Sequence, residues 1–200
     1  MELLNNIWNA LVTPNKLLID IILIPSGIIE AWLSLMLFTL LLNLKTSKVK
    51  QIIYVFLSGI ISYLITSFIP SPLNIFINYI SIFIIITLIF KTSFLKGLFA
   101  TIIPTIIFGL TGMLLMNPYF TLFNINYEQS ETIPIYRIIY LILIYFIIFC
   151  IICLLKLKQY KIDLPDYTID KKSKKVLLIN LSIGFITLCV QLVITFNYID

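Results

Sequence analysis

Of 200 residues, 60% are hydrophobic and only 12% are charged, with a mean hydropathy of +1.08 and a formal net charge of +5. A soluble domain carries roughly 45–50% apolar and about 25% charged residues, so no water-solvated core absorbs this surplus. The chain has 0 histidines, which excludes an H-E-x-x-H metalloprotease, a Cys-His peptidase and a phospho-accepting histidine within it. The basic excess falls between apolar runs, where it sets orientation and meets anionic lipid, and nucleic acid is not an expected partner.

The N-terminus opens with Glu2 in place of a basic region, and no small-residue cleavage site follows, so the first span is expected to stay attached. Over residues 1–16, Leu3, Leu4, Ile7, Trp8, Leu11 and Val12 recur at helical spacing opposite Asn5, Asn6 and Asn9, the pattern of a short helix lying in the membrane interface. A span needs about 20 residues of helix. The first apolar run, 17–44, contains Asp20, Pro25 and Glu30 and closes on K-T-S-K-V-K at 45–50. A second run, 52–69, stops at P-S-P, a tight turn at 70–72. Residues 73–90 form a third, and 97–123, with Pro104, Gly109 and Gly112, a fourth.

The uncharged N-I-N-Y then leads to Glu128 and Glu131, and 133–155 is the fifth span. Residues 156–175 hold seven lysines with Asp163, Asp166 and Asp170, and 176–196 is the sixth. The expected fold is an all-α polytopic transmembrane helical bundle of about six spans, with a short N-terminal interfacial helix and no internal repeat. Twelve of the fourteen basic residues lie in the loops after spans one, three and five, and only Lys16 and Arg137 fall on the other side. Lys and Arg are retained inside, so both termini are expected outside, and a cytoplasmic domain following Asp200 would need one more span before it.

An ionised carboxylate at depth costs at least a few kcal/mol, which makes intramembrane acids functional candidates. Asp20 lies near the outer boundary and reads as interfacial. Glu30 is deeper and suits a ligand, proton or interspan role, the alternative being a neutral carboxyl hydrogen-bonded to a neighbouring helix. Arg137, one turn into the fifth span, either snorkels or pairs with Glu30, Glu131 or an incoming ligand. Cys150-Ile-Ile-Cys153 in mid-span reads as two small apolar residues, and with Cys189 it indicates neither a disulfide framework nor a thiolate zinc site. Gly109 and Gly112 lack G-x-x-x-G spacing. Pro25 and Pro104 are expected to mark kinks or unwound turns.

Three stretches taken together carry a family resemblance: M-E-L-L-N-N-I-W-N-A-L-V-T-P-N-K-L-L-I-D-I-I-L-I-P-S-G-I-I-E-A-W, F-I-P-S-P-L-N-I-F-I-N, and F-N-I-N-Y-E-Q-S-E-T-I-P-I-Y-R. From Met1 to about Tyr198 the chain resembles the membrane-sensor half of Agr-type, peptide-sensing receptor histidine kinases of low-GC bacteria. The resemblance implies a bacterial cell-membrane domain that binds an extracellular signal, often a small cyclic peptide, in two-component quorum sensing. It implies a relay to a cytoplasmic kinase core, lacking in these 200 residues, that would bind ATP and Mg and address a response regulator; a homodimer is compatible with it. No cofactor or metal is expected in the chain itself. Expected signal contacts are Asn124, Glu128, Glu131 and Arg137, with Asn74 beside the P-S-P turn, while Asp20 and Glu30 are ligand or switch candidates. The competing reading is a self-contained six-span transporter subunit or permease-like protein. A membrane peptidase of the same signalling system would need a histidine. The orientation predicts that Glu128→Cys is labelled by an impermeant maleimide on intact cells and Lys48→Cys only after permeabilisation; the reverse pattern would invert the topology.

Overall fold

A computed structural model describes residues 2–70 and 73–162. The sixth span expected at 176–196, Cys189, the polar segment from 163 onward and two residues of the P-S-P turn lie outside the described residues. The order is α1 (Glu2–Val12), α2 (Lys16–Leu41), α3 (Lys48–Phe68), α4 (Leu73–Phe90), α5 (Phe94–Phe123), α6 (Tyr127–Thr132) and α7 (Pro134–Leu157). No strand occurs among the described residues. Among the described residues five helices, α2, α3, α4, α5 and α7, are long and apolar enough to cross a bilayer. The chain is an all-α, multi-pass membrane protein.

Local sequence sets the helix ends. Asn15 Oδ1 accepts from the Leu18 N–H at 3.1 Å to start α2, and Ser47 Oγ accepts from Lys50 at 3.4 Å to start α3. Because Ser47 caps it, α3 begins at Lys48, a turn earlier than the apolar run suggests. Pro134 opens α7, where its missing N–H would have had no partner. With 6 glycines in the chain, left-handed residues beyond the helix ends fall on other side chains: Asn43, Lys91, Asn124 and Gln159 have φ of 49°, 52°, 50° and 51°. Such a conformation costs a non-glycine residue about 1–2 kcal/mol.

One expectation is corrected and another is narrowed. Residues 124–132, read as loop, contain α6, because Asn126 and Gln129 form a reciprocal capping box. The backbone stays helical through Pro25, Pro104 and Pro118, so Pro25 and Pro104 open no unwound turn.

Along α3 large apolar side chains face outward, and the buried face mixes Tyr54 and Ser58 with Val55, Gly59 and Ile65. Ile52, Phe56, Ile60 and Leu64 are 58%, 53%, 49% and 44% exposed, whereas Tyr54 and Ser58 on the opposite face are buried. That arrangement suits a lipid solvent. Helix α2 is central. Its Ala31, Leu35 and Phe38 pack with Tyr54, Val55, Ile85, Ile86 and Ala100 of α3, α4 and α5. Its Leu33 and Leu37 pack with Ile144, Ile148 and Ile152 of α7. Phe38, Tyr54 and Phe90 bring their rings to 5.5–5.7 Å from one another, a spacing that adds about 0.5–1.5 kcal/mol per pair beyond burial.

Helices α2 and α3 approach backbone to backbone. A Cβ on Gly59 would lie 2.9 Å from Ile28 Cγ1 and 3.1 Å from the Ile28 backbone, and a Cβ on Gly27 would lie 3.3 Å from the Gly59 carbonyl oxygen. Gly59→Ala is therefore expected to lower stability by about 1–3 kcal/mol, read as the midpoint of thermal unfolding in detergent. Gly109→Ala, with nothing within 4 Å of the new methyl, should leave the midpoint unchanged or raise it.

Candidate functional site

Polar groups gather in two places. At the end of the bundle where α2 begins, the Asn15 N–H donates to the Thr132 carbonyl at 3.1 Å and ties α2 to α6. Arg137, at the head of α7, forms a hydrogen-bonded ion pair with Glu131 of α6. Its Nε is buried without a hydrogen-bond partner. The Tyr119 hydroxyl donates to the Tyr136 carbonyl at 2.6 Å and the Tyr140 hydroxyl to the Gly112 carbonyl at 2.9 Å, fastening α5 to α7. Tyr119 also packs its ring 4.8 Å from Phe123 and 5.1 Å from Tyr140. Burial pushes the Tyr127 hydroxyl above its ordinary pKa; the Glu131 charge adds to the rise and Arg137 opposes it.

The expected signal contacts divide around this cluster. Glu131 and Arg137 meet, with Tyr127 in their field. Asn124 and Glu128 stand exposed, the first as the left-handed residue after α5 and the second in the first turn of α6. Asn74 heads α4, which packs on α3 and α5; its N–H donates to Pro70 and its Oδ1 is buried without a partner. Asp20 is half-buried one turn into α2. Sequence reasoning left Tyr119 and Tyr140 out, since a tyrosine in an apolar run carries no signal of what its hydroxyl will reach.

The second place lies midway along the helices, where α2, α3, α4 and α5 enclose a cavity of about 50 Å³. Glu30 lines it together with Ser58, Ser62, Asn78, Thr101 and Thr105. Glu30 lines the cavity but is not sealed in the bundle, since the residue is exposed. No hydrogen bond or ion pair holds its carboxyl among the described residues. Arg137 is near enough for its charge to act on Glu30, but its contact partner is Glu131. The hydroxyl ladder facing Glu30 was also missed in the sequence, because Ser and Thr are scattered along every span and only packing selects those that converge.

Compared with protein-family models, characterised proteins and solved structures, the chain matches none. The class that fold and composition define is a multi-pass helical membrane protein.

A double-mutant cycle on Glu131→Gln and Arg137→Gln should give a coupling of about 1 kcal/mol, the upper end for partly exposed pairs, since the side chains retain 36% and 20% exposure. A coupling indistinguishable from zero would reduce the pair to a surface contact. The raised Tyr127 pKa means that its stabilising contribution is complete below the ordinary value of 10.0 and fades as pH climbs beyond it. Tyr127→Phe should flatten that part of the alkaline stability loss, measured as the difference between the two unfolding curves above pH 10.

Proposed function

We propose that the chain is the membrane-embedded receiving domain of a two-component sensor histidine kinase. It takes an extracellular signal, a small peptide by the resemblance, and relays it to a cytoplasmic kinase core that would carry the ATP, Mg and phospho-accepting histidine. The supporting observation is the placement of the Arg137–Glu131 pair. It joins α6, at the end poor in lysine, to the head of α7, and α7 then packs along α2 through Ile144, Ile148 and Ile152 toward the lysine-rich end. A carboxylate or carbonyl on a ligand competes with Glu131 for the forked donors of Arg137. A ligand that binds better to the arrangement with the pair opened biases α7 by no more than that difference in affinity.

The test is the reading frame beyond the codon for Asp200. A further apolar span, then a helix bearing a histidine and a glycine-rich ATP-binding region, supports the proposal; a stop codon in the native gene refutes the kinase reading. In the intact receptor, Glu131→Gln should shift autophosphorylation toward its signal-bound level without ligand, and Arg137→Gln should make output insensitive to signal. The second reading, a small transporter subunit, draws on the mid-membrane cavity at Glu30. Solute flux into proteoliposomes of the purified chain would favour it.

A further inference from the structure

The oxygens around the mid-membrane cavity are short of partners in a particular way. The Thr101 hydroxyl donates to the Gly97 carbonyl at 3.0 Å and the Thr105 hydroxyl to the Thr101 carbonyl at 2.9 Å. Ser62 donates to Asn78 Oδ1 at 2.8 Å. The protons of these hydroxyls are thus committed and their lone pairs are not. Ser58 Oγ is 2% exposed and makes no hydrogen bond of ordinary geometry, although the Tyr54 hydroxyl is its neighbour. Pro104 has no N–H to offer the Ala100 carbonyl one turn back, and both residues line the cavity. With the Glu30 carboxyl, these oxygens give the wall several uncommitted lone pairs, beside the Asn78 amide N–H groups and the Ser34 hydroxyl that also line it.

We propose that this cavity binds a monovalent alkali cation, with Glu30 as the counter-charge and the hydroxyls of Ser58, Thr101 and Thr105 as neutral ligands. Hard oxygens of this kind are the ligands of alkali and alkaline-earth ions. A single carboxylate balances a single positive charge. Among the described residues no three His, Cys, Asp or Glu side chains converge, which argues against a divalent or transition metal. A proton on Glu30 would satisfy one acceptor and leave Ser58 as it is, whereas a cation engages several oxygens at once. At about 50 Å³ the cavity has room for roughly one or two waters' volume, so a peptide is too large. Because Glu30 is exposed, the site is not sealed against an ion. The site stands whether or not the chain is a receptor.

The experiment is a titration of the purified full chain in lipid nanodiscs with sodium or potassium chloride, replaced by N-methylglucamine chloride to keep ionic strength constant. The thermal unfolding midpoint should rise saturably with one of the alkali ions, because a ligand of the folded state stabilises it by mass action. The rise should vanish in Glu30→Gln, and the apparent affinity should weaken about tenfold in Ser58→Ala, the usual effect of removing one ligand from a charged group. Should Glu30→Gln fail to fold, saturable binding of radioactive sodium to the native chain and its weakening in Ser58→Ala decide the matter. A midpoint indifferent to both ions, one that moves with pH alone, or an ion response that persists in Glu30→Gln would overturn the proposal.

Discussion

The close approach of α2 and α3 at Gly27 and Gly59 is the contact on which the rest of the bundle depends. In lipid there is no hydrophobic force between helices, because hydrocarbon solvates Leu and Ile as well as another helix does. Association relies on backbone proximity, close packing and a few polar bonds. At Gly59 the neighbouring backbone occupies the space that a side chain would need. That proximity brings Glu30, one turn beyond Gly27 on α2, to the same cavity as Ser58 on α3. It also lets Phe38 and Tyr54 meet edge to face with centroids 5.5 Å apart.

Polar bonds then hold the remaining helices to this pair. Ser62 and Asn78 join α3 to α4. The Tyr145 hydroxyl donates to the Ser26 carbonyl at 3.1 Å and joins α7 to α2. Tyr119 and Tyr140 fasten α5 and α7 in both directions. Each of these bonds is worth on average about 0.6 kcal/mol in a membrane, since the separated helices also find partners. Their contribution is therefore mainly to select one packing among several.

Helix α2 connects the two polar regions. It starts at Asn15, whose N–H is bonded to the residue that ends α6, and about four turns later presents Glu30 to the cavity. It also shares its two apolar faces between α3, α4 and α5 on one side and α7 on the other. A displacement of α7 at the Arg137–Glu131 pair would be taken up along Leu33 and Leu37, which alternate with the cavity residues Ala31 and Ser34 on α2. Close-packed interfaces of that kind respond by discrete rearrangement and not by gradual deformation.

The sequence alone was enough for the solvent and the helices. Continuous apolar runs long enough to cross hydrocarbon leave an intramembrane backbone no alternative to helix, since every N–H must find a carbonyl within its own segment. The start of α3 at Ser47 and the existence of α6 were also written in local capping residues, though the apolar runs alone concealed them. Tertiary structure decided what the polar side chains face. Glu30 was visible as an anomaly, but nothing in its spacing pointed to Ser58, Thr101 and Thr105, because those residues come from different helices and each span offers several equivalent serines and threonines. Arg137 likewise had Glu30 and Glu131 as candidate partners, and the choice of Glu131 followed from α6 folding back against the head of α7. Gly59 carried no repeat to mark it, and its importance comes from the backbone of α2 passing within contact distance, a fact of packing that no one-dimensional pattern contains.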